Sequence, residues 1–147
     1  MTTIIKEAAI AADPADAWDA LRDFGAVHQR LAAGFVVDCR LEAGDTRIVT
    51  FSTGAVAREV LVGVDETARR LSYTVVEGPM ETTHHNASAQ VFATPDGGTR
   101  FVWITDVLPA AGGAIVDQMM EHGIGVIRQT LEAAAVATSA AVTASAS

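Results

Sequence analysis

Residues 112–135 constrain this chain more than any other stretch. Laid out at 100° per residue, as in an α-helix, they put Ile115, Val116, Met119, Met120, Gly123, Ile124, Val126, Ile127, Thr130 and Leu131 on one half of the cylinder. Asp117, Gln118, Glu121, Arg128, Gln129 and Glu132 fill the other half, with His122 at the seam. No charge interrupts the apolar half, which is wider than a helix needs to lie on one flat sheet. The pattern predicts a helix that packs on a sheet along one edge and looks into a cavity along the other. Gly123 sits in mid-stripe at a cost of about 1 kcal/mol in helix propensity. Its missing side chain lets a backbone or a ligand come close.

The chain upstream reads as the surface this helix closes. Residues 3–12 hold Ile4, Ile5 and Ile10 and end at Asp13-Pro14, a strand followed by an N-cap with proline in the first helical turn. Ala17, Trp18 and Leu21 then recur at helical spacing, which makes Trp18 a core anchor. Phe24-Gly25 ends that helix, and a second short helix is expected over residues 26–33. From Phe35 the period becomes two. Strands are predicted over residues 35–41, 47–52, 57–64, 71–77, 83–93 and 99–108. The turns between them include Glu42-Ala43-Gly44-Asp45 and Pro95-Asp96-Gly97-Gly98. One strand, two short helices, six sequential antiparallel strands and a long helix make an α+β domain with a curved antiparallel sheet of six to seven strands. Residues 1–135 form one domain; residues 136–147, almost all Ala, Ser, Thr and Val, are expected to be a frayed or disordered tail.

Composition narrows the partners. Ten Lys and Arg against eighteen Asp and Glu give a net charge of −8 over 147 residues, which disfavours nucleic acid and anionic membrane surfaces. No basic leader precedes an apolar core at the N-terminus, and no uncharged apolar run of about 18 residues suggests a membrane span. The single cysteine, Cys39, offers no internal disulfide. A cytoplasmic protein is the expectation. With no His-x-His or His-x3-His spacing, no metal site is expected, and no cofactor motif is visible.

The chain resembles the START-like superfamily (SRPBCC), which includes the polyketide cyclase/dehydrase and birch-pollen-allergen-like proteins. The residues that carry the likeness are Ala12-Asp13-Pro14 leading to Trp18 and Leu21-Arg22-Asp23-Phe24-Gly25, then Arg58-Glu59 before Asp65. Leu71-Ser72-Tyr73 before Glu77-Gly78-Pro79-Met80 and residues 94–100 running into Trp103 complete it, over residues 3–135. The resemblance implies a helix-grip fold, its sheet wrapped around the C-terminal helix, with a cavity for a hydrophobic or amphipathic small molecule. It does not imply one reaction, because carriers, receptors, cyclases and lyases share that fold. It also puts Phe24 and His28 near the cavity entrance. Similar chains often carry a tryptophan and a proline after the Phe-Gly, whereas this one has Val27-His28-Gln29-Arg30-Leu31.

Strand parity selects the cavity wall. Phe101, Trp103, Thr105 and Val107 share a face, and the larger aromatics turn it inward. His85, Ala87, Ala89, Val91 and Ala93 share the next, where small side chains leave room beneath the helix. His85 then points inward, either to position a polar group or act in proton transfer, or as a buried histidine bonded to a backbone carbonyl. His84, on the opposite face, cannot chelate a metal with it. Tyr73 packs its ring between Leu71 and Val75. Glu59 has an undecided parity; if inward, it needs a partner such as Arg47, Tyr73, His85 or the ligand. Met119 and Met120 are adaptable fillers. Apolar residues on the outer face (Val60 or Val62, Val102, Ile104) predict a homodimer through that face.

Three functions follow. The first is a binding protein for a polyketide-, aromatic- or lipid-like molecule, as in lipid transport. The second is a cyclase- or dehydratase-type enzyme with His85, Glu59 and Tyr73 as acid/base groups. The third is an assembly or regulatory protein whose cavity is vestigial. Binding stands ahead of catalysis, and both ahead of assembly.

Overall fold

The computed structural model describes residues 2–146. Strand β1 (Thr3–Ile10) leads into helix α1 (Pro14–Arg22), a 3-10 turn (Phe24–Ala26) and one π-helical turn (Val27–Leu31). Strands β2 (Val36–Glu42), β3 (Thr46–Phe51), β4 (Val56–Asp65), β5 (Arg70–Glu77), β6 (His84–Ala93) and β7 (Thr99–Leu108) follow in a meander. A 3-10 turn (Ala110–Gly112) starts the C-terminal helix α2 (Gly113–Ala146). All strands belong to one antiparallel seven-stranded sheet in the order β1-β7-β6-β5-β4-β3-β2. The sheet is curved and open, with α2 on its concave side: an α+β helix-grip fold.

Local chemistry accounts for the ends of α1. The Asp13 carboxylate accepts from the Ala15 N–H at 2.8 Å, and Pro14 supplies the fixed φ of the first turn. The helix buries Ala17, Trp18, Ala20 and Leu21, and the Trp18 indole N–H donates to Glu66 at 2.7 Å. Trp18 is therefore a core anchor with its polar edge satisfied. The second short helix expected over residues 26–33 is instead the 3-10 and π turns of residues 24–31. In the turn after β2, Ala43 and Gly44 both adopt positive φ, 48° and 76°.

Helix α2 is fixed to β1 and to the segment after it at three levels. Lys6 points inward from β1, and its ammonium lies 2.8 Å from both Asp117 and Glu121. The Thr130 hydroxyl donates to the Val126 carbonyl and accepts from the Ala33 N–H. Glu132 accepts from the Ala11 N–H at 2.8 Å. Val116, Met120, Ile124, Ile127 and Leu131 are buried along one edge of the stripe, while Met119 and Val126 on the other edge are only half-buried. Ile115, expected in the apolar half, is 59% exposed because it extends that half-open edge into the first helical turn, away from the sheet. The tail expected to fray is helical to Ala146, and residues 136–145 are exposed. Alanine carries the highest helix propensity, and no proline or glycine interrupts α2 after Gly125. No helix among the described residues is long and apolar enough to cross a membrane.

The outer face of the sheet is less uniformly apolar than its sequence suggests. Val62 and Ile5 are well exposed there, but Val60, Val102 and Ile104 are half-covered. Arg100 extends over the Phe92 ring at 4.5 Å and pairs with Glu7.

Candidate functional site

Between the sheet and α2 lies a cavity of about 90 Å3. Its walls are built from alternate, inward-facing strand residues. Phe101, Trp103 and Thr105 come from β7, His85 and Ala89 from β6, Leu71, Tyr73 and Val75 from β5, Ala57 and Glu59 from β4, and Arg47, Val49 and Phe51 from β3. Met119, Met120 and Ile127 close it from α2, and the β5–β6 loop contributes Gly78, Pro79, Met80 and Thr82. Gly78 and Pro79 are exposed, so this loop forms the rim.

The polar groups form a diagonal across adjacent strands. Arg47 on β3 stands directly opposite Glu59 on β4 in the sheet register. Both are buried, and the guanidinium Nε donates to Glu59 Oε1 at 2.8 Å. Arg47 Nη1 also donates to the Phe24 carbonyl at 3.2 Å. The Phe24 and Tyr73 rings lie against the guanidinium, at 4.0 and 5.1 Å from ring centroid to carbon. The inward parity of Glu59 is thus settled by its partner on the neighbouring strand. Two register shifts in the β4–β5 ladder, one on each side of Glu59–Leu61, explain why period-two counting along β4 cannot settle it.

Tyr73 and His85 are the next two groups along the diagonal. Burial, reinforced by the nearby Glu59 charge, pushes the Tyr73 phenol well above its ordinary range, so it keeps its proton. Burial pushes the His85 imidazole below its ordinary value, against the opposing pull of Glu59. Its backbone carbonyl accepts from the Thr74 hydroxyl, but no ring hydrogen bond to protein is made among the described residues. Burial thus favours the neutral imidazole, which faces the cavity. Thr105, buried beside Phe101, adds a hydroxyl to the wall.

Four of the residues expected at the site lie outside its lining. Phe24 is buried behind Arg47, where its carbonyl and ring serve the guanidinium rather than an entrance. His28 is in the π turn, with Nδ1 buried and unpartnered among the described residues. Ala87 is core beside Tyr73, its cross-strand neighbour. Gly123 is a close approach for side chains, not for a guest: a Cβ there would sit 2.9 Å from Trp103 Cζ3 and 3.2 Å from the Phe35 ring. Glu59, Tyr73, His85, Ala89, Phe101, Trp103, Met119 and Met120 do line the cavity.

Sequence reasoning missed Arg47 as a wall residue, although its alternation with Val49 and Phe51 carries the signal. Phe35 and the loop rim carry no such periodic signal. Among the described residues no three His, Cys, Asp or Glu side chains converge to hold a metal.

A curved antiparallel sheet gripping one long helix, with an apolar cavity between them, defines a helix-grip domain of the START-like class. The family described as "Polyketide cyclase / dehydrase and lipid transport" matches residues 1–139, and the chain belongs to it. A search of curated proteins gives no significant match. Among solved structures, the protein XoxI of Bacillus cereus superposes with a TM-score of 0.79 at 16% identity, covering 89% of this chain and 96% of its own. A START superfamily protein of Mycobacterium smegmatis gives 0.69 at 16% identity, covering 92% and 98%. A Thermobifida fusca protein gives 0.70 at 27% identity, covering 87% and 91%.

Proposed function

We propose that this protein binds a hydrophobic or amphipathic small molecule in the cavity between its sheet and α2, without transforming it. The observation that carries this reading is the state of the polar diagonal. A general acid or base must exchange a proton near neutral pH. Glu59 is taken by Arg47 at 2.8 Å, and Tyr73 is held firmly protonated. Of the three groups that could do acid/base work only His85 is unengaged, and one neutral imidazole orients a guest more readily than it completes a reaction cycle. The walls suit apolar matter, with Phe35, Phe101, Trp103, Leu71, Met120 and Ile127 in contact with the space.

Size bears on the guest. A cavity needs roughly 10–15 Å3 to hold one water, so about 90 Å3 holds several waters or a small ring. A longer guest requires Met80, Met119 and Met120 to rotate, which their three flexible torsions allow. Native mass spectrometry of freshly purified protein, followed by organic extraction, tests the proposal. A co-purified apolar molecule, recovered unchanged after incubation with excess protein, is the expected result. Conversion of that molecule, lost in His85→Ala while the fold is retained, would overturn the non-catalytic reading.

A further inference from the structure

The charges that face the cavity suggest which guests it admits. Its lining holds one cation and one anion, Arg47 and Glu59, and they neutralise each other at 2.8 Å. Neither is free to meet a charged guest. Arg47 already donates to Glu59 and to the Phe24 carbonyl, with two aromatic rings against it. A carboxylate that captured Arg47 would strand Glu59 as a buried, unpaired anion; an ammonium that captured Glu59 would strand Arg47. Either exchange replaces one buried charge pair by another and adds the desolvation of the guest's own charge. The remaining polar wall groups, Tyr73, His85, Thr82 and Thr105, are neutral hydrogen-bonding groups. The His85 ring makes no hydrogen bond to protein among the described residues, and it faces the same space.

Building on the binding reading above, we infer that the cavity selects uncharged molecules with a single hydrogen-bonding head group, such as an amide, ketone or phenol seated at His85, and rejects carboxylates and cations of the same shape. Burial drives His85 and Tyr73 toward their uncharged forms, in keeping with this selection. The chain's overall charge of −8 would by itself repel anions and attract cations. A preference for neutral over cationic guests therefore separates the local wall from the global field.

Three molecules of one shape make the test: benzamide, benzoate and benzamidine, titrated at pH 7.5 into nitrogen-15-labelled protein. Benzamide is expected to bind at least tenfold more tightly than either ion, with shifts concentrated at Tyr73, His85 and Ala89. In His85→Phe, the preference for benzamide over toluene, which has no head group, should fall several-fold. Glu59→Gln uncovers Arg47 and should turn the order toward benzoate. If that variant does not fold, the wild-type comparison decides alone. Benzoate binding as tightly as benzamide, or benzamidine binding tightest, overturns the inference while leaving the cavity a binding site. Failure of all three and of toluene to shift the wall resonances overturns the binding reading itself, and the inference with it.

Discussion

The Arg47–Glu59 pair has a cost and a consequence that can be measured together. Both side chains are below a tenth exposed, their contact is 2.8 Å, and they stand opposite each other on β3 and β4. Replacing Arg47 by Met keeps most of the volume of the stem but leaves Glu59 as an uncompensated buried carboxylate. It also removes the donor to the Phe24 carbonyl. Breaking a buried pair from one side costs about 3–5 kcal/mol, against a total stability of about 5–15 kcal/mol for a domain. For a chain of this size each kcal/mol moves the thermal midpoint by about 2–4 °C, so Arg47→Met should lower it by roughly 6–20 °C. The double variant Arg47→Met/Glu59→Leu should recover most of that loss, since apolar replacement of a whole buried pair is often neutral or stabilising. Urea unfolding of wild type, both single variants and the double variant closes the cycle. A single-variant loss below about 1 kcal/mol, or a double variant no better than Arg47→Met, would refute the reasoning, because either would mean the pair is hydrated.

Two further outcomes follow from other parts of the wall. Burial holds the His85 imidazole below its ordinary 6.5, so the unfolded chain binds more protons between the folded value and about 6.5. Stability therefore rises with pH across that window and is lost as pH falls below about 6.5; the melting advantage of wild type over His85→Gln should be constant above pH 7.5 and shrink steadily toward pH 5, and a difference that grows on acidification would contradict the burial argument. Gly123→Ala gains about 1 kcal/mol of helix propensity but forces a methyl to 2.9 Å from Trp103, an overpacking worth about 1–3 kcal/mol; a net loss up to about 2 kcal/mol is expected in urea unfolding, and a clear stabilisation would show that Trp103 yields freely into the cavity.

The parts of this molecule that were legible from sequence are those where one face of an element does one job. The α2 stripe has no charge in its apolar half, and Val116, Met120, Ile124, Ile127 and Leu131 are buried as that pattern requires. On β7 the aromatics Phe101 and Trp103 share a parity, and on β6 the alanines do, so the inward faces of both strands could be read by counting. On β4, Arg58-Glu59-Val60-Leu61-Val62 places charges and aliphatics on both parities, and two register shifts break the count. Only the pairing with β3, a contact set by the whole sheet, turns Glu59 inward. Gly123 shows the same limit from the helix side. A missing side chain in the sequence marks a close approach, but not who approaches; here the tertiary fold brings Trp103 and Phe35 there.

That division has a functional meaning. On the binding reading proposed above, the wall's polar groups sit on β3–β6, strands paired throughout by ladder hydrogen bonds despite the two register shifts between β4 and β5, so Arg47, Glu59, Tyr73 and His85 hold their relative positions without help from a guest. Access, on the same reading, would belong to Met80 and Met119 and to the exposed loop residues Gly78 and Pro79, which lie outside the strand ladders. Selectivity and entry would thus fall to different elements. Substitutions in the loop should change how fast and how large a guest enters, whereas substitutions in the Arg47–Glu59 pair should change what charge it carries. An apolar double replacement of that pair should keep the fold and still offer an ion no free partner, whereas Glu59→Gln alone should leave Arg47 open to an anion.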